Sequence, residues 1–523
     1  MTVSVRAQTA AESGPNAGGR ILLVLPFDNR TGQPSLEWIR EASAEILSSR
    51  FASAGFAPMS RSDRRYALDH LGLPQGFHPS RATALKLAET LDADSIVVGS
   101  YLTDGTGIVA EARLVDVPHL RMSEAVIARG EMRDLIAVLN TLAWRLTRQL
   151  DPRFSVVEET FVAADKGLSL AAFEQYIRGI TEPDQTERLS HLNRAVLLSP
   201  DFSSAWMALG REDYNGQQYE QAALAFSKVV RSDPDALEAG FYRGLSLLFF
   251  GDYPKAEQAF GAVARVLPLA EVLNNQGVAV SRQGHDSVAL FRQAVAADPN
   301  GSDYHFNLAV SLKRHGDTAE ALTELAQCLR LRPNDNEAQD LDKVWSAPAV
   351  KSAVGPASTP AASPKADPLE RIARNFNAVA FRQAAQMLDQ VEASRLAALT
   401  PLERAQKLVG QARDYLDRGL LLEAERLYQS AVAADHRFAE AHVGLAEVRE
   451  RTGDAEAARK EARTSLELQR SADAYLVLVR LDLAANHLND AKKEAGEALK
   501  LDPQNRAAQE LRRQIEAREG VKQ

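Results

Sequence analysis

The sequence has little that would commit it to chemistry, to a membrane or to nucleic acid. One cysteine, Cys328, stands in 523 residues; a lone thiol makes no intrachain disulfide and no cysteine-based zinc site. No run of 18 apolar residues occurs, which excludes an ordinary membrane-spanning helix. A positive excess is missing too: 61 Lys and Arg against 70 Asp and Glu leave a net charge of −9. Broad binding to nucleic acid or to an anionic membrane needs a concentrated positive field, so both are disfavoured. Aromatics are only 6%, and the abundant Ala and Leu lean the chain toward helix. Its length exceeds one core, so two to four structural units are expected.

Candidates for catalysis are equally sparse. No GxSxG elbow is present, and no two of the ten histidines stand at HExxH spacing. His436 and His442 are six apart and straddle a repeat boundary, poor spacing for metal ligands. His285 and His315 fall at or beside turns. Cys328 takes the place of a small alanine and reads as a buried apolar residue. Glu158 and Glu159 precede an expected loop and read as solvated charges. No catalytic residue, metal site or cofactor is expected.

Residues 20–152 read as a small mixed α/β domain. A continuous apolar run at 21–27 has the length and composition of a buried strand. Helical spacing comes next at 35–53, then a short strand at 56–59, and helices at 63–71 and 80–91. A strand at 95–102 leads into Asp104-Gly105-Thr106-Gly107, a strong hairpin turn. Strands at 108–117 and 121–128 and a helix at 135–150 complete the order β-α-β-α-α-β-β-β-α. The loop 28–32 is expected to be a structural turn with Asp28 or Asn29 bonding local backbone; its segment has no GxGxxG or GKS/GKT phosphate cradle. Taken together, residues 21–32, 37–51, 62–72 and 93–101 resemble the amino-terminal domain of TolB and CsgG-type bacterial envelope proteins. That resemblance implies a non-enzymatic docking module.

Self-similarity dominates the chain beyond residue 168. The unit 203–236 carries Trp206, Leu209, Gly210, Tyr219, Ala222, Phe226 and Pro234. Each of Gly244, Tyr253, Ala256, Phe260 and Pro268 lies 34 residues beyond its counterpart there. A third unit, 270–301, is two residues short in its second helix and carries Gly277, Gly284, Ala289 and Pro299. A fourth, 302–335, carries Ala309, Gly316, Ala321, Cys328 and Pro333. An eroded unit precedes them at 169–202. These markers resemble the tetratricopeptide repeat: helix A, tight turn, helix B, and a proline that stops helix B. The small residues let helices approach, and Phe226 and Phe260 are expected to fill the space between neighbouring pairs. One pair cannot bury its face alone, so stacked neighbours stabilise each other.

The first array is expected over 169–345, an Ala, Pro and Ser-rich linker over 346–367, and a second array over 368–518. The second opens with a degenerate pair at 368–400, in which Pro368-Leu369-Glu370-Arg371 recurs as Pro401-Leu402-Glu403-Arg404. The fold class is thus α+β multidomain: a small mixed domain followed by two α-solenoid arrays.

In such repeats helix A residues line a groove. Counting along the units places Arg211, then Phe241, Tyr242, Leu245 and Phe249, then Asn274, Asn275 and Arg282, then Asn307 and Arg314 as candidate partner-binding residues. Asn275 and Asn307 share a repeat position. An amide both donates and accepts, so it suits a peptide main chain, and an arginine suits a carboxylate. The bland alternative is that the asparagines are solvated consensus residues. The helix around Phe241, Tyr242, Leu245 and Phe249 is apolar on almost every side; it must anchor a partner or be covered, with residues 153–168 the expected cover.

Residues 1–19 are small and polar. Within them Val5 and Ala7 resemble the cleavage end of a secretory signal whose apolar part would lie before Met1; the alternative reading is an accidental resemblance in a flexible cytoplasmic tail. The expectation is a non-catalytic scaffold in the periplasm or cell envelope that grips protein or peptide partners. The alternatives are a cytoplasmic adaptor and an accessory subunit of an enzyme acting on a repeat-bound peptide.

Overall fold

A computed structural model describes residues 20–74, 81–163, 167–230, 233, 235–347, 368–376 and 391–520. The signal-like residues 5–9 and the marker Pro234 lie outside these. Strands β1 (Ile21–Val24), β2 (Asp28–Asn29), β3 (Ala57–Pro58), β4 (Ser95–Asp104), β5 (Gly107–Asp116), β6 (Arg121–Met122) and β7 (Val126–Glu131) form one mixed sheet. β1 lies between β3 and β4 and runs parallel to both. β4 and β5 are an antiparallel hairpin turning at Gly105, and β7 adds antiparallel to β5.

Leu22, Leu23 and Val24 are all buried, as a strand covered on both faces requires. On one face α2 (Arg61–His70) and α3 (Arg81–Thr90) pack on Leu23, Ile96 and Val115. Helices α1 (Ile39–Ser53) and α4 (Leu135–Leu150) pack together over the sheet as well. The expected strand 21–27 stops at Val24, just before Pro26, which has no N–H to give to the sheet, and the Phe27 ring sits on Gly99. A Cβ at Gly99 would stand 2.5 Å from that ring. The expected strand 121–128 is two pieces, β6 and β7. The expected loop 28–32 opens instead with β2, paired parallel to β4; from its end Asn29 accepts from the Thr31 backbone at 3.0 Å and donates to the Gln33 carbonyl at 3.1 Å, the local bonding its composition suggests.

Two compact units divide the chain: Met1–Thr181 with Arg395–Gln523, and Glu182–Ser394. The first joins the α/β domain to the second array. Glu158 and Glu159, expected before a loop, instead open helix α5 (Glu158–Ala163). Its approach is pinned by the Trp144 indole donating to the Val156 carbonyl at 2.9 Å. Residues 153–163, expected to cover the helix around Phe241, lie against α4 and the second array within the first unit. The Arg50 guanidinium sits 4.6 Å over the Phe161 ring and donates to its carbonyl. Helix α6 (Leu170–Thr181), expected to open the first array, packs on α1.

The second unit holds the helices α7 (Gln185–Leu198), α8 (Ser203–Asn215), α9 (Tyr219–Ser227), α10 (Ala236–Phe250), α11 (Tyr253–Ala264), α12 (Ala270–Arg282), α13 (Val288–Ala297), α14 (Ser302–His315), α15 (Thr318–Leu331) and α16 (Asn336–Ser346). Paired helices recur in the first unit as α17 (Pro401–Asp417) with α18 (Leu421–Ala434), α19 (Ala439–Thr452) with α20 (Ala455–Leu468), and α21 (Ala472–Ala484) with α22 (Leu488–Leu501). Helix α23 (Arg506–Gly520) ends the series.

Two local devices set the repeat geometry. The first is the glycine of helix A. A Cβ on Gly210, Gly244 or Gly277 would stand 2.7–2.8 Å from the ring of Phe226, Phe260 or Phe291. Phe226 and Phe260 thus pack on the glycine of their own repeat, where they were expected between pairs; Phe226 also stacks on Tyr242 of the next repeat at 5.9 Å. The second is a reach-back at the fourth residue of helix A. Trp206, His305, Gln339, His442 and Gln509 each place a ring or amide nitrogen 2.7–3.2 Å from the carbonyl six residues earlier, on Pro200, Pro299, Pro333, His436 and Pro503. The prolines that stop helix B therefore also offer the carbonyl that fixes the next helix.

Residues 368–376 depart from expectation. They form neither helix nor strand, where a helix pair was expected over 368–400, and they belong to the second unit; the bonding of alternate residues 371 and 373 to two asparagines is that of an extended backbone.

Candidate functional site

The site is built by three successive A helices, α10, α12 and α14, and by the first turn of α16. Tyr242, Asn275 and Asn307 each stand two residues before the small residue of their helix, so they occupy one position in three repeats. Seven residues further, two turns on, stand Phe249, Arg282 and Arg314. The helical period brings these two rows onto one face, and residues 368–376 lie along it, running from the α14 side toward α10.

Main-chain recognition is carried by the asparagines. Asn275 Nδ2 donates to the Ala373 carbonyl at 2.7 Å, and its Oδ1 accepts from the Ala373 amide at 2.9 Å. Asn307 repeats the pattern two residues earlier: 2.7 Å to the Arg371 carbonyl and 2.7 Å from the Arg371 amide. Asn274 adds a second donor to the Arg371 carbonyl at 3.0 Å and accepts from Asn307 at 2.8 Å. All three side chains are fully buried. The solvated alternative is thereby overturned, since an amide buried without partners costs about 1–3 kcal/mol, and these find theirs in the backbone of the extended segment.

Side-chain recognition is bipolar. In an extended chain neighbouring side chains point to opposite sides, and here the two sides carry opposite charge. Glu370, buried, meets Arg314 and the Ser281 hydroxyl, with Arg282 Nε 3.7 Å away. Burial alone would raise its pKa; the hydrogen bonds from Ser281 and Arg314 together outweigh that and hold it below the ordinary carboxylate value. Arg371 meets Asp335 through two bonds of 2.5 and 2.8 Å, Asp303 at 3.0 Å and Glu337 at 3.0 Å. Its guanidinium lies 3.6 Å over the Phe306 ring. Burial works against that charge, but the bonds to Asp335, Asp303 and Glu337 together raise its pKa. In return the Arg371 bond is the main cause holding Asp335 below its ordinary value.

Apolar contacts finish the grip. Ile372 and Phe376 pack on the buried cluster that contains Phe241, Leu245 and Leu248, and Phe376 stands 5.4 Å from Phe241. Arg374 lies 5.3 Å over Phe249. The apolar helix is thus covered by residues 368–376. Beyond Glu370, a cavity of about 650 Å³ opens between Tyr253, Ser281, Ser311 and His315.

Nine of the ten candidate residues surround this segment or support those that do. Arg211 does not; it pairs with Glu238 at 2.7 Å. Asp303, Asp335 and Glu337 were not foreseen, because each stands in the opening turn of a helix and reads locally as a capping residue. Asp335 does cap α16, accepting from the Ala338 amide at 3.1 Å, while also holding Arg371. His442 lies between the Glu461 carboxylate at 2.8 Å and the His436 carbonyl at 3.2 Å, a structural role that accounts for the His436 and His442 pair. Among the described residues no group of three or more His, Cys, Asp or Glu is arranged to hold a metal ion.

The family described as Tetratricopeptide repeat matches residues 207–268, 280–336 and 409–474, so both arrays carry tetratricopeptide repeats. Among curated proteins, anaphase-promoting complex subunit 3 of Schizosaccharomyces pombe is 27% identical over 155 residues, covering 29% of this chain and 23% of that protein. The match therefore spans about a quarter of the relative's length. Among solved structures, MamA from Desulfovibrio magneticus RS-1 is 20% identical over 32% of this chain and 99% of that chain, with a TM-score of 0.30. YrrB, a TPR protein with an unusual peptide-binding site, is 16% identical over 35% of this chain and 97% of that chain, at 0.31. The LpoB C-terminal domain from Salmonella enterica is 22% identical over 23% of this chain and 87% of that chain, at 0.21.

Proposed function

We propose that this chain is a non-catalytic scaffold that grips protein partners through extended peptide segments held in the groove of its first array. One observation carries the reading: Asn275 and Asn307 each clamp both the amide and the carbonyl of a single residue in an extended strand, at alternate positions along it. A pair of amides so placed reads main chain, so the same groove accepts different side chains wherever the flanking charges permit. Each such bond contributes about 0.5–1.5 kcal/mol, and Ile372 and Phe376 add apolar burial.

Amide hydrogen exchange tests the clamp directly. The Arg371 and Ala373 amides are expected to be protected in the intact chain and to exchange at least about tenfold faster with Asn275→Ala and Asn307→Ala together, a factor of ten being about 1.4 kcal/mol. Unchanged protection would remove these amides from the account.

The setting we propose is the bacterial cell envelope, with the α/β domain as a second docking module. This rests on the signal-like residues 5–9 and on the resemblance of residues 20–152 to the TolB and CsgG-type domain. Fractionation of cells expressing the chain from its native locus decides it; recovery with cytoplasmic markers alone would discard the envelope setting.

A further inference from the structure

We infer that residues 368–376 are a built-in pseudo-ligand: the groove of α10, α12 and α14 takes a partner peptide of the same chemistry, which enters by displacing them. The inference rests on the peptide-gripping role proposed for that groove and adds what the partner carries and what it must compete with.

The segment is held as a ligand is held. Its main chain is clamped at alternate residues, and its side chains find complementary pockets. Glu370 faces Ser281, Arg282 and Arg314; Arg371 faces Phe306 and the carboxylates of Asp303, Asp335 and Glu337. Its neighbours Leu369 and Arg374 are exposed, so the contacts concentrate on a few positions. Those positions define the partner: an extended strand with a carboxylate, then an arginine, then an apolar residue, and an aromatic four residues after the apolar one. Proline is excluded at the positions of Arg371 and Ala373, whose amides are both used. Swapping the acid and the arginine would set each against its own sign, so the pattern also fixes the direction of the strand.

Competition arises from connectivity. Residues 348–367, twenty in number, join Ala347, the residue that caps α16, to Pro368. A ligand covalently joined to its own site acts at an effective concentration on the order of 1 mM. A free peptide that binds the open groove at about 10 μM is then weakened on the order of 100-fold by the resident segment.

The experiment uses the full chain and a labelled synthetic nonapeptide copying residues 368–376, read by fluorescence anisotropy. The chain with Glu370→Arg and Arg371→Glu, whose own segment is repelled from both pockets, is expected to bind the peptide at least about tenfold more tightly than the unaltered chain. A peptide carrying the same two substitutions is expected to bind neither chain. Equal affinity of both chains for the native peptide overturns the displacement inference and leaves the clamp reading intact. Absence of binding to the altered chain overturns the inference as well; protection of the Arg371 and Ala373 amides then says separately whether the clamp stands. If the altered chain and a milder Ala373→Pro chain both lose the cooperative melt of the first array, residues 368–376 are part of its core and the inference falls.

Discussion

Gly244 gives a test whose sign can be worked out in advance. It lies inside α10, where alanine is normally preferred over glycine by about 0.5–1 kcal/mol. A Cβ there, however, would stand 2.7, 2.8 and 2.9 Å from three carbons of the Phe260 ring. That ring cannot swing away, because it is fully buried and packed edge-on against Phe241 at 5.8 Å. Overpacking of this kind costs roughly 1–3 kcal/mol, so Gly244→Ala is expected to destabilise by about 0–2.5 kcal/mol after the helical gain is subtracted. Gly410, inside α17, is the control: a Cβ there meets nothing within 4 Å, so Gly410→Ala keeps the helical gain and stabilises. For units of this size 1 kcal/mol moves the midpoint by about 2–4 °C. Thermal unfolding monitored by circular dichroism should therefore show one variant falling and the other rising against the unaltered chain. A rise for Gly244→Ala equal to that for Gly410→Ala would refute the close approach of α10 to α11.

Buried groups supply two further tests. The hydrogen bond to Glu461 is the main cause that raises the His442 pKa above 6.5, while the same bond lowers that of Glu461. A raised histidine pKa means stability that is complete below the unfolded value and lost as pH rises through the folded one. His442→Gln should thus cost about 1.5–3 kcal/mol in mild acid and little in alkali, and a melting difference that stays constant from about pH 6 to about pH 9 would contradict this. Burial pushes the Cys328 thiol up to about 11, and its side chain is fully enclosed; a thiol reagent should leave it unlabelled until denaturant is added, since the thiolate is the reactive form. Stoichiometric labelling of the folded chain within minutes would show that the enclosure is wrong.

What the sequence made legible was whatever local periodicity or spacing dictates. The strand-rich order of the first domain, the helix Leu135–Leu150 and the glycine and proline positions of the repeats all arise from patterns within one turn or one repeat. The groove face was legible too, because Asn275 and Asn307 share a register that any counting of helix A reveals. Harder to see were features that depend on what arrives from far along the chain. Phe291 escaped notice because it follows Gly277 by 14 residues, where Phe260 follows Gly244 by 16. Asp303, Asp335 and Glu337 have sufficient local reasons to be acidic, so nothing in their own neighbourhoods announces a guanidinium 34–68 residues away.

Pro-Leu-Glu-Arg, which occurs twice, isolates that limit. At 401–404 it opens α17: Thr400 accepts from the Glu403 amide at 3.3 Å, Glu403 accepts from the Thr400 amide at 3.0 Å, and Pro401 fills the first helical position. This is a complete capping box. At 368–371 the same residues come after Asp367, itself a good capping residue, and local propensity again favours a helix. The structure is extended nonetheless, because a helix there would spend Glu370 on its own amino terminus. Extended, Glu370 meets Arg314 and Ser281, Arg371 meets three carboxylates, and two main-chain amides meet two buried asparagines. A capping box is worth about 1 kcal/mol or a little more, and four clamp bonds alone contribute about 2–6 kcal/mol. The groove therefore outweighs the local preference, and the same four residues cap a helix at one site and lie in a groove at the other.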